Sequence, residues 1–280
     1  MAAGRPGAAS RNPVLVAAVT ARARRAARMT AGRPAVVWGL VAGRAAAAGR
    51  RASVADVCTV AVGCAQVSGA WVTVSGGRRP DFVMSVTGPV SEQLAELQLT
   101  LGEGPCHDVL ATAAPVLAAD LGDEDSGRRW PGFAASAGLL GAGAVFAFPL
   151  SVGAIRAGAM GLYRASPGPL PRASLGDALI LADAATLLLL DGLRHDGDGA
   201  AAAAGGPAVD GQSPDLALHR AEIDQATGML TMQLGTGIAE AFARLRAYAY
   251  TSDRRLADVA RDIVARRLRL HRDPGGNGGP

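Results

Sequence analysis

The 280-residue sequence contains no lysine, and all 28 of its basic residues are arginine. This excludes every chemistry that needs an ammonium group at a fixed point, including the P-loop contact to phosphate, the Schiff base and the kinase-type ATP contact. Cysteine is scarce, at three residues. An odd, small number in a long chain does not make the disulfide framework of a secreted domain, so a reducing cytoplasm is expected. The four histidines, His107, His195, His219 and His271, are scattered without ligand spacing, and no metal site is predicted. Long apolar runs are also missing. The longest, 178–190, is interrupted by Asp183 and is shorter than the ~20 residues a membrane span requires, so it reads as a buried or dimer-facing helix. The apolar stretch 13–20 runs into a basic cluster at 22–28 rather than a cleavage site, and neither an export signal nor a membrane partner is read.

Acid is absent from the first 51 residues, which carry ten arginines. Residues 52–215 hold eight arginines against seventeen acids, a net −9, and residues 216–280 hold ten against seven, a net +3. A polyanion is therefore repelled by the middle of the chain and attracted by either end.

The C-terminal end has the clearest pattern. Ile223, Ala226, Leu230 and Leu234, then Ile238, Ala241, Phe242, Leu245 and Ala249, then Leu256, Val259, Ala260, Ile263, Val264 and Leu268 recur at helical spacing. They predict three short amphipathic helices between Arg220 and Leu270, with Thr236 capping the second and Ser252 or Asp253 the third. The strings Ile223-x-Gln225-Ala226-x-Gly228-Met229-Leu230-x-Met232, Glu240-Ala241-Phe242-x-x-Leu245-Arg246 and Leu256-x-x-Val259-Ala260-x-x-Ile263-Val264 resemble the ANTAR domain. That resemblance implies an all-α three-helix bundle that binds RNA as a dimer and recognises stem-loops in nascent leader transcripts.

Upstream, a helical period over Val54–Ala65 leads into strand-like segments at 69–75, 82–86, 116–119, 144–150 and 158–163, with helices expected at 90–97 and 175–193. This order predicts an α+β domain with a mainly antiparallel sheet and flanking helices. Leu101-Gly-Glu-Gly-Pro-Cys106-x-Asp108, with Asp120-Leu121, Arg129-Trp130-Pro131 and Phe146-Ala-Phe-Pro149-Leu150, resembles the GAF domain. GAF domains are sensors with a small-molecule pocket on one side of the sheet, though the fold does not specify the ligand. The expected organisation is a basic, disordered arm (1–35), a GAF-like sensor (36–194), a flexible linker (195–215), an ANTAR RNA-binding domain (216–271) and a disordered tail (272–280). The domain order implies an RNA-binding antitermination regulator, expected to be a cytoplasmic homodimer that answers to a small-molecule effector. A DNA-binding regulator is one alternative, since a three-helix bundle can also enter a major groove.

Candidate RNA contacts follow from residue chemistry. Arg254 and Arg255 are the best phosphate ligands by charge. Gln225 can bond a base edge, Arg246 can pair with phosphate or stack on a splayed base, and Tyr248 offers a stacking face; surface or interhelix bonding accounts for each equally well. Gly228, which costs about 1 kcal/mol against alanine inside a helix, suggests close approach of another helix, or of RNA. Cys106 beside His107 raises a second alternative, a redox switch or enzyme, but structural cysteines are the favoured reading. Gly102-x-Gly104 reads as a tight turn. The acids Asp120, Asp123, Glu124 and Asp125 read as a solvated loop, and no catalytic constellation or cofactor is predicted.

Overall fold

A computed structural model describes residues 32–77, 80–196 and 213–271. The expected basic arm, the linker and the tail lie almost wholly outside the described residues.

The first folded unit opens with α1 (Arg33–Ala47), which has a proline in its first turn and buries Val37, Val41 and Ala45 at intervals of four. Then follow α2 (Val54–Cys64), β1 (Gly69–Val74), β2 (Phe82–Val86), α3 (Pro89–Leu101), α4 (Pro105–Thr112), β3 (Val116–Ala118), α5 (Glu124–Arg129), α6 (Pro131–Leu139), β4 (Ala144–Val152), β5 (Ile155–Arg164) and α7 (Arg172–Asp196). The strands form one antiparallel sheet in the order β2-β1-β5-β4-β3.

Alternate residues of each strand face opposite layers. Val72, Phe146, Phe148, Met160 and Leu162 meet Val57, Cys58 and Ala61 of α2 and Leu181, Ala185 and Leu189 of α7. Trp71, Val145, Ala147 and Ala159 meet Leu94 of α3, Cys106 and Val109 of α4 and Phe133 of α6. Gly161 pairs with Trp71 in register, and the indole lies where a side chain would stand: a Cβ at Gly161 would be 2.1 Å from Trp71 Cε2. On the first layer, Arg33 Nε donates to Asp177 Oδ1 at 2.7 Å and ties α1 to α7. The span Arg172–Gly192 of α7 is long and apolar enough to cross a membrane by length and composition alone, but just over half of its most apolar stretch is buried within the protein.

The second unit is α8 (Pro214–Leu234), α9 (Ile238–Thr251) and α10 (Leu256–Val264). Its core contains Ala226, Leu230, Leu234, Ala241, Leu245, Ala249, Leu256, Val259, Ala260 and Ile263, with Ile223 and Phe242 partly buried against it. The helix ends differ from expectation. α8 starts at Pro214, because Ser213 accepts a bond from the Leu216 N–H at 3.3 Å and proline fits a first turn. Thr236 does not cap α9; Gly237 holds that position, and Thr236 Oγ1 is buried without a hydrogen-bond partner. Ser252 donates back to the Tyr248 carbonyl at 2.6 Å and so closes α9, while Arg255 occupies the start of α10.

Candidate nucleic-acid interface

The bundle is seated on the α/β domain, with α9 along α3 and α8 against β2. Arg255 makes the principal polar link. Its Nη2 lies 2.7 Å from Glu92 Oε1, and its Nε donates to Glu96 Oε2 at 2.8 Å. Glu92 and Glu96 are one turn apart on α3, so one guanidinium fork spans both. Burial at this contact opposes the charge on Arg255, but the two carboxylates more than offset it and raise its pKa.

Arg246 enters the same seam. Its Nη1 donates to the Leu99 carbonyl at 3.4 Å, and its guanidinium lies against Gly102, which ends α3 with φ +70°. Desolvation pushes its pKa down against the opposing field of Asp81. Arg220 stacks over the Phe82 ring, 3.6 Å from its centroid, and His219 Nδ1 is 4.0 Å from Glu92 Oε1. A cavity of about 40 Å³ remains between the domains, lined by Phe82, Glu96, Leu99, Leu216, Ile223 and Leu256. Glu96 Oε1 and Arg246 Nε are buried in the seam without a hydrogen-bond partner among the described residues.

The structure separates the six sequence-predicted residues into groups. Arg246 and Arg255 face the α/β domain. Arg254 instead bonds Asp262 at 2.6 Å, and Arg267 reaches the same carboxylate at 2.8 Å. These two guanidiniums hold the Asp262 carboxyl below the usual range. Gln225 and Gly228 are exposed on α8. Among the described residues nothing lies within 4 Å of where a Cβ on Gly228 would stand, so the expected helix packing at Gly228 is not made by them. Met232, on the same face, is 85% exposed.

Tyr248 is half-buried against the bundle core. Tyr250, 60% exposed, offers the larger stacking surface, a residue the sequence reading passed over. Glu92 and Glu96 were also missed; an acidic pair four residues apart on a helix ordinarily signals a solvated face.

In the α/β domain, Cys106 is buried against Trp71 and Phe133. Desolvation pushes its thiol up to about 12, and its backbone N–H donates to Gln98 Oε1 at 2.7 Å. His107 is half-exposed beside Asp108, with Nδ1 3.9 Å from Oδ1. The burial of Cys106 thus favours the structural reading of this cysteine over the redox alternative. Gly102 and Gly104, both at positive φ, make the expected tight turn. The acidic segment is not simply a loop: Asp123 accepts from the Ser126 N–H at 2.7 Å and caps α5, on which Glu124 and Asp125 pair with Arg128. Among the described residues no group of three or more His, Cys, Asp or Glu is placed to hold a metal ion.

Compared with known proteins, residues 217–264 match the ANTAR domain, a non-enzymatic, RNA-binding module of antitermination regulators. No curated protein matches the chain. The α/β region resembles GAF domains. With the GAF domain of an Acinetobacter phosphoenolpyruvate-protein phosphotransferase it shares 11% identity over 68% of this chain and 100% of that one, at a TM-score of 0.42. The GAF-B domain of DevS from Mycobacterium smegmatis gives 18% identity, 58% and 98% coverage and a TM-score of 0.34. A free methionine-R-sulfoxide reductase from Neisseria meningitidis gives 14%, 68% and 95%, and 0.32. The helical bundle that holds Arg246, Arg254 and Arg255 is thus identified by its match, and residues 217–264 are an ANTAR domain.

Proposed function

We propose that this chain is an RNA-binding regulator of transcription antitermination in which the GAF-like domain controls access of the ANTAR domain to stem-loops in nascent leader transcripts. The observation that carries this reading is the seat of Arg255 on Glu92 and Glu96. Carboxylates of the sensor hold a guanidinium whose other natural partner is a phosphate. Sensor and RNA then compete for one side chain, and a small-molecule effector that shifts the docking equilibrium shifts RNA affinity by the same free energy. The protein acts in the cytoplasm as a homodimer. Val36 and Leu40, about half exposed and one turn apart on α1, and Leu179 on the adjoining α7 support a contact between copies.

Crosslinking followed by sequencing of the bound RNA in the native cell tests the reading. The expected result is enrichment of paired hairpins upstream of terminators. No enrichment above a variant lacking residues 216–270 would overturn it, and recovery of duplex DNA instead would move the function to a DNA-binding regulator.

A further inference from the structure

Beyond residue 264, where the ANTAR match ends, the chain continues as an ordered segment. Arg266 has φ +59°, a position that glycine usually fills, and its N–H donates to the Ile263 carbonyl at 2.9 Å. The N–H groups of Arg267 and Leu268 both donate to the Asp262 carbonyl, at 2.8 and 3.1 Å. From there the side chains alternate. Leu268 and Leu270 pack against the bundle core, while Arg267, Arg269 and His271 are exposed.

Asp262 organises this surface. Its two carboxylate oxygens hold Arg254 and Arg267 side by side, so two positive charges share one negative one and each fork keeps outward N–H donors. Among the described residues Arg266 and Arg269 have no ion-pair partner, and of the described acids near them in the chain only Asp253 is exposed. The other arginines of the domain are engaged elsewhere: Arg244 with Glu240, Arg261 with Glu222 and Asp258, and Arg255 with the sensor. Positive charge is therefore in excess at this one place.

We propose that Arg254, Arg267 and Arg269, with Arg266 beside them, form a phosphodiester-binding patch for the RNA backbone that stays open while Arg255 is docked on the sensor. The inference rests on the reading of the domain as RNA-binding. Guanidinium forks preoriented by a shared carboxylate suit phosphate oxygens, and contacts of this kind position RNA without reading its sequence. An anionic membrane is the weaker fit, because Leu268 and Leu270 turn inward and leave no apolar side chain to insert. RNA is held first through this patch, and release of Arg255 and Arg246 adds the contacts that the sensor governs.

The test is a titration of the full chain with a fluorescein-labelled RNA stem-loop with a G·C stem, at several salt concentrations. Arg267→Gln with Arg269→Gln is expected to weaken binding about tenfold and to flatten the salt slope by about 0.7–0.9 for each phosphate left without its arginine. The Arg→Lys pair, which keeps the charge, is expected to retain most of the slope. Wild-type binding with unchanged affinity and slope in the glutamine variant overturns the patch and leaves the RNA reading intact. No binding by wild type, with sensor carboxylates present or replaced by Glu92→Gln and Glu96→Gln, overturns both. Loss of binding to phosphatidylserine vesicles with RNA affinity unchanged would assign the patch to a membrane and overturn it as an RNA site.

Discussion

Glu92 holds Arg255 at 2.7 Å across the seam between the α/β domain and the ANTAR domain, whereas Arg254, the preceding residue, reaches Asp262 within its own bundle. The two arginines part because Arg255 has extended dihedrals, φ −61° and ψ 140°, and successive side chains on extended backbone point to opposite sides. A pair of like residues at one helix start thus serves two surfaces. One is covered by the α/β domain and the other is open.

Replacing Glu92 and Glu96 by glutamine should therefore raise RNA affinity. Both pairs are partly solvated, so after screening each contributes about 0.5–1 kcal/mol, and the loss of both is expected to raise affinity for a stem-loop RNA about five- to thirtyfold. A control with Glu124→Gln and Asp125→Asn, exposed acids on α5, makes the same change in net charge away from the seam. Equal gains in both variants would mean that general charge, not docking, sets the affinity.

Gly102→Ala should loosen the same seam from the side of the α/β domain. At φ +70°, alanine costs about 1–2 kcal/mol, and its Cβ would stand 2.5 Å from Arg246 Nη1. The α/β domain is expected to melt a few degrees lower, and hydrogen exchange should rise in α3 and α9 together. Faster exchange confined to the α3 terminus would show that Arg246 swings aside without disturbing the docked helices.

The bundle was legible because its apolar residues keep one period from Ala226 to Ile263, and the strands because short apolar runs end at glycines. Other features left no such trace. α4 hides behind Gly104-Pro105, a pair that reads as a turn although proline at a first helical position is a start signal. The alanine and glycine content of α1 conceals the interval of four among Val37, Val41 and Ala45. The seam joins Glu92 and Glu96 to an arginine about 160 residues later, and no periodicity links residues that meet only after two domains have folded. Asp262 carries no signal in sequence for a related reason: its value lies in the two arginines it brings together, one on either side of it in the chain.

Cys106 should be one of two unreactive cysteines among three that composition alone does not distinguish. Its thiol is buried and pushed up to about 12, so the thiolate that alkylates and oxidises is scarce at neutral pH. Cys64 is only partly buried. In native protein treated with iodoacetamide, mass spectrometry should find Cys64 modified well before Cys106 or Cys58, and Cys106→Ser should leave any response to oxidants unchanged. Labelling of Cys106 at the rate of Cys64 would return the redox alternative to consideration.

The α/β domain should also lose stability in acid through one identifiable carboxylate. Asp56, fully buried at the start of α2, accepts both Arg50 amino groups at 2.6 and 2.7 Å and the N–H and hydroxyl of Ser53 at 2.9 and 3.0 Å. Burial alone would raise its pKa, but these bonds together hold it below the ordinary value. Because the folded carboxyl titrates below the unfolded one, its contribution is complete above about pH 4 and is lost as the pH falls through the lower, folded value. Asp56→Asn is expected to cost about 2 kcal/mol at pH 7, from the weakened cap and the charge-assisted bonds. Its melting temperature should then fall less than that of wild type between pH 5 and pH 3. Parallel declines in the two proteins would mean that the acid sensitivity resides in other carboxylates and that the Asp56 cluster is too well solvated to report on folding.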